Sequence, residues 1–81
     1  MQLIGVITQK LTLAPVAEID NVSGKIYIAN RTTDASIGYS IDGETWQIYT
    51  QAFSVPTGVK EIKIKAVRYG WKESEVVSVK L

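Results

Sequence analysis

Asp42 and Glu44 are the two acidic residues best placed to act together, separated only by Gly43. Paired carboxylates carry out general acid–base and nucleophilic work in glycosidases, but there they flank a cleft. The same two groups could begin a Ca²⁺ site, which takes about six to eight oxygen ligands. Here both sit on one turn, Asp-Gly is accounted for by turn chemistry, and the surrounding sequence does not supply the missing oxygens. Glu73 and Glu75 share a face where a strand starts and read as a solvated edge. The chain has no histidine and no cysteine. That removes the usual general base, the usual pH switch, the commonest transition-metal ligand and any disulfide together. The expectation is a protein that is not an enzyme, with no catalytic residue, cofactor or metal.

Aromatic side chains offer a second kind of chemistry, stacking on sugar rings. The candidates are Tyr27, Trp46 and Trp71, with Tyr49 and Tyr69 also in the chain. Tyr27 is the best exposed of them, since it alternates with Ile26 and Ile28. Trp46 and Trp71 read first as caps on the ends of the core, where an aromatic body is buried and the N–H stays wet. The cations Lys60, Lys63, Lys65, Arg68 and Lys72 read first as a solvated face that discourages edge pairing, with binding to nucleic acid or an acidic partner as the minor alternative. Nine Lys and Arg stand against eight Asp and Glu, a net charge of +1. That balance argues against nucleic acid or a membrane surface as the partner, and no run is long enough to span a bilayer. Asn21-Val22-Ser23 and Asn30-Arg31-Thr32 match the glycosylation acceptor pattern. Residues 1–9 do not read as a secretory signal, so both matches are taken as chance.

The elements that must position these groups repeat with a period of two. Ile26 and Ile28 share a face, as do Ile37, Tyr39 and Ile41, and Ile62, Ile64 and Ala66. Glu61, Lys63 and Lys65 point the other way, the pattern of an antiparallel sheet with one wet face. Val77, Val79 and Leu81 line a last strand. Leu11 and Leu13 begin one before Pro15, and residues 46–53 read as a less regular strand pair. Asp42-Gly43 closes a hairpin. Ser23-Gly24, Pro56-Thr57-Gly58 and Tyr69-Gly70 mark further corners. About seven short strands with regular turns predict a β-sandwich, with a small barrel as the alternative. Residues 1–8 are apolar on both faces and predict an extra N-terminal strand. An open apolar edge needs cover, so Leu3, Ile4, Val6 and Ile7 are candidate partner-binding residues, by strand addition to another chain.

Three blocks carry a family resemblance. Ala35-Ser36-Ile37-Gly38-Tyr39-Ser40-Ile41-Asp42-Gly43 resembles a motif of the chitobiase/β-hexosaminidase C-terminal-like domains, also described as fibronectin-type-III-associated repeats. Tyr49-Thr50 resembles that family's Tyr-Thr, although Ala52 stands where a proline is usual. Residues 64–77, with Ala66-Val67, Gly70-Trp71 and Ser74 before the valines, are similar to its closing pattern. The resemblance spans about residues 13–81. It implies an immunoglobulin-like sandwich appended to bacterial carbohydrate-active enzymes as an accessory or spacer domain, with no catalytic residues.

The expected fold is thus all-β: an immunoglobulin-like antiparallel sandwich of about seven strands in residues 11–81, plus a strand or attachment segment in residues 1–10. With a Met start, a closing strand and no catalytic domain, the chain reads as a free-standing structural protein that binds a protein partner. The expected setting is a virion surface, as a phage capsid decoration or auxiliary protein. The alternative is the accessory domain of a secreted or cell-surface bacterial enzyme, with weak glycan binding.

Overall fold

The computed structural model describes residues 10–20 and 22–81. Among them are seven strands and no helix: β1 (Val16–Ile19), β2 (Lys25–Ala29), β3 (Ser36–Ser40), β4 (Gln47–Ile48), β5 (Phe53–Ser54), β6 (Glu61–Val67) and β7 (Val77–Lys80). They form two antiparallel sheets, ordered β1-β2-β5 and β4-β3-β6-β7. The alternation in the sequence is what builds them. In β2, Ile26 and Ile28 are buried between exposed Lys25, Tyr27 and Ala29. In β6, Ile62, Ile64 and Ala66 are buried along the whole strand. Ile26 and Ile28 of one sheet meet Ile37, Ile62 and Ile64 of the other in a single apolar cluster. Phe53 of β5 stacks on Tyr39 of β3, with ring centroids 4.3 Å apart, and so ties one sheet to the other. The result is a two-layer sandwich rather than a closed barrel.

Two expectations need correction. The strand expected at Leu11 and Leu13 is reduced to one parallel bridge, Leu11 to Lys72. The Thr12 amide donates to the Lys72 carbonyl at 2.9 Å, and the Lys72 amide to the Lys10 carbonyl at 2.9 Å. The first strand among the described residues instead follows Pro15. Its register is set by β2, with Ala17 opposite Ile28 and Ile19 opposite Ile26, because its own sequence barely alternates. The strand pair expected over residues 46–53 is two strands in different sheets. β4 pairs with β3 and β5 with β2, so the chain crosses from one layer to the other between them. The strand expected over residues 1–8, with Leu3, Ile4, Val6 and Ile7, lies outside the described residues, as does Asn21.

Two departures from a plain ladder shape the outer surface. The register of β6 against β7, Ile64 opposite Val77, would bring Glu75 opposite Ala66. Ser74 takes that place: its amide donates to the Ala66 carbonyl at 2.9 Å and its hydroxyl accepts from the Ala66 amide at 2.8 Å. One extra residue is thereby held as a bulge. On β3, Gly38 faces outward beneath Trp46. A Cβ there would stand 3.5 Å from Trp46 Cε3 and 3.9 Å from Lys65 Cγ, ordinary contact distances. Gly38→Ala is therefore expected to fit and to stabilise by about 0.4–1 kcal/mol through the unfolded chain. A urea midpoint that moves down instead of up would show that Trp46 cannot share this space.

Candidate functional site

The Asp42 carboxylate serves its own turn. Its Oδ1 accepts the amides of Glu44 and Thr45, each at 2.8 Å, and the Ser40 hydroxyl at 2.9 Å. Ser40, fully buried, in turn accepts the Gly43 amide at 2.8 Å. Gly43 has φ 83°, a conformation glycine adopts without penalty. The Thr45 and Glu44 amides, then Ser40, lower the Asp42 pKa to about 2. A carboxyl lowered in the folded state supports it above the ordinary carboxylate pKa and loses that support as pH falls through the folded value. The window here runs from about 4 down to about 2. The Glu44 and Thr45 amide shifts are expected to titrate with a midpoint near the lower end. A midpoint at the ordinary value would remove the carboxylate from the turn. Asp20 repeats the device, accepting the Val22 amide and the Ser23 hydroxyl, each at 2.9 Å. The Val22 amide, then the Ser23 hydroxyl, lower its pKa. No cluster of three or more potential metal-ligating side chains occurs among the described residues.

The aromatic candidates are not brought together. Tyr27 stands on the outer face of the three-stranded sheet, 48% exposed, over a shallow depression it shares with Val16, Glu18 and Tyr49. Trp46 lies on the opposite outer face, against Gly38, with Lys65 Nζ 4.5 Å from its ring centroid. Lys65 also pairs with Glu73 at 3.3 Å. Trp71 stands at one end of the sandwich. Neither tryptophan packs against the central apolar cluster, so capping the core does not describe them. One sugar chain cannot lie on all three rings.

The end that holds Trp71 is the most developed surface. Three stretches meet there: residues 10–15, the β2–β3 connection at 30–35, and the β6–β7 connection at 68–76. Their frame is fixed by hydrogen bonds. Thr32, buried, accepts the Leu13 amide on its hydroxyl at 2.9 Å. Asn30 Nδ2 donates to the Ala35 carbonyl at 2.6 Å within the turn, so the Asn30 and Thr32 side chains of that acceptor-like tripeptide are both engaged in hydrogen bonds. The Trp71 amide donates to the Arg68 carbonyl at 3.0 Å. Between the stretches lies an open groove of about 510 Å³, lined by Lys10, Leu11, Leu13, Arg31, Thr32, Thr33, Arg68 and Trp71. The Arg68 guanidinium sits 4.1 Å, and Lys10 Nζ 5.4 Å, from the Trp71 ring centroid.

Sequence reasoning found Trp71 and Arg68 here and missed Lys10 and Arg31. Arg68 was grouped with Lys60, Lys63, Lys65 and Lys72, of which Lys63 and Lys65 lie on β6 itself. Lys10 and Arg31 lie 58 and 37 positions before Arg68 in the chain, and only the topology joins them. The available signal was that Arg31 follows Asn30 in a turn-prone connection, where binding groups concentrate; Lys10 carried none. In comparisons with known proteins, no family model, curated protein or solved structure matches this chain.

Proposed function

We propose that this chain is a non-catalytic, immunoglobulin-like attachment module that docks onto a larger protein assembly through its loop end. The observation that carries the reading is the groove beside Trp71: three cations and two leucines exposed by 57% (Leu11) and 45% (Leu13), held on a hydrogen-bonded frame. Exposed apolar side chains gathered with charges of one sign mark contact surfaces. The strand order supports the immunoglobulin-like assignment. Lettered A, B, C, C′, E, F and G in chain order, the sheets read A-B-E and C′-C-F-G, with B, C and F central as in that architecture. The groove then falls at the end formed by the B–C and F–G connections, where such sandwiches carry binding loops. The resemblance of residues 13–81 to the chitobiase C-terminal-like domains points the same way and keeps a carbohydrate-active parent enzyme as the second setting. Decoration of a virion is the first.

Intact mass spectrometry of the polypeptide in its native source, with fractionation of large particles, tests this reading. A chain of about this length that co-purifies with a virion supports decoration. The same residues found only within a longer enzyme support the accessory domain. A free chain that co-purifies with nothing overturns attachment.

A further inference from the structure

From the groove's charge and lining we infer that it binds an acidic peptide segment of a partner protein, one carrying aspartate or glutamate beside large aliphatic side chains. This names the partner chemistry of the attachment site proposed above and rests on that reading. The groove brings Lys10, Arg31 and Arg68 together without a carboxylate among its lining residues. All eight acidic residues of the chain fall among the described residues, and the one ion pair there is Lys65 with Glu73, on β6 and the connection beyond it. The nine residues ahead of Lys10 contain no acid either. Glu73 and Glu75 line the adjoining depression, which shares Leu11, Leu13 and Arg31 with the groove, but among the described residues neither forms an ion pair with Lys10, Arg31 or Arg68, so an incoming anion relieves the repulsion among these three.

Arg68 is poised for the task. Its guanidinium is held 4.1 Å from the Trp71 ring centroid. Stacking of this kind leaves the in-plane N–H fork free for a carboxylate, the geometry arginine matches best. Holding the side chain beforehand reduces the ordering cost on binding. The rest of the floor selects among anions. Leu11 and Leu13 present aliphatic surface, which a leucine or valine side chain buries and a sugar hydroxyl does not. The Trp71 ring already carries the guanidinium, so it is a poor platform for a pyranose. A nucleic-acid strand would need a longer run of cations along its backbone and free aromatic faces.

The test is fluorescence polarisation with the full chain at about 0.1 M salt, where exposed charges are screened beyond roughly 10 Å. The probes are a labelled peptide alternating aspartate and leucine, the same peptide with asparagine for aspartate, an oligogalacturonate and an oligodeoxythymidylate. The acidic peptide is expected to bind most tightly. Arg68→Gln and Lys10→Gln are each expected to weaken it about tenfold or more, the loss of one charge-assisted hydrogen bond. Lys25→Gln, at the far end of β2, is expected to change it by less than about twofold. Equal binding of the neutral peptide, tighter binding of the uronate or the oligonucleotide, or an unchanged affinity in Arg68→Gln overturns the inference. The two readings fail separately. A chain that co-purifies with a particle equally well as Arg68→Gln refutes the acidic partner and keeps attachment. Peptide binding through Arg68 by a chain that co-purifies with nothing does the reverse.

Discussion

Ile64→Ala is expected to lower the unfolding free energy by about 2–5 kcal/mol, the range for emptying a well-packed site of a large aliphatic side chain. Ile64 is wholly inaccessible to solvent. It sits in the middle of β6, with Tyr39 of β3 across from it on one side and Val77 of β7 on the other. Three strands therefore lose a shared contact at once, and Ile26 and Ile28 across the layer cannot move in without breaking their own pairing with β1. A domain of 81 residues has on the order of 4–12 kcal/mol in total, so the variant would be partly unfolded at room temperature if the wild type lies at the low end. Urea unfolding at equilibrium measures this. Ile48→Ala is the matched control: Ile48 is 73% exposed and its loss is expected to cost less than about 0.5 kcal/mol. If the two variants cost the same, the two sheets do not share the core described.

Ser74→Ala should have the next largest effect, about 1–3 kcal/mol, which is the desolvation cost of a buried donor left without an acceptor. The Ala66 amide is aimed at the Ser74 hydroxyl, and that hydroxyl donates onward to the Glu75 carbonyl at 2.9 Å. Ser74 is buried and Ala66 entirely so. Alanine keeps the Ser74 backbone bond to Ala66 but removes the acceptor. Hydrogen exchange gives the specific readout: the Ala66 amide should lose protection more than its neighbours on β6. Full protection of that amide, with a cost under about 0.5 kcal/mol, would mean that water replaces the hydroxyl and that the serine is not what closes the bulge.

The long alternating runs were legible because each side of a strand meets one environment only. β2 and β6 could be placed residue by residue from their isoleucines, and the turn glycines at Gly24, Gly43, Gly58 and Gly70 all take positive φ. β1 was not legible. Val16-Ala17-Glu18-Ile19 has no clear alternation, since an edge strand takes its register from its neighbour. Ser40 alternates with Ile37, Tyr39 and Ile41 and yet is fully buried, because the Asp42 turn folds back over it. That covering depends on hydrogen bonds between residues two and three apart, which hydrophobic period does not report. The loop-end groove was the least legible feature. Its three cations come from three separated stretches: the pairing of β3 with β6 brings Arg31 and Arg68 to one end, and the bridge of Leu11 to Lys72 brings Lys10 there.

The place of β6 at the centre of its sheet also fixes the order in which the protein can be made. Two of the five isoleucines of the core, Ile62 and Ile64, arrive with this strand, which pairs with both β3 and β7. A nascent chain that has emerged only as far as residue 60 holds Ile26, Ile28 and Ile37 from the two layers, and Phe53 to meet Tyr39, but lacks Ile62 and Ile64, and β3 has only the two-residue β4 beside it. The core is therefore completed only when β6 is available, and until then the apolar faces of β2 and β3 are incompletely covered and open to pairing with other chains.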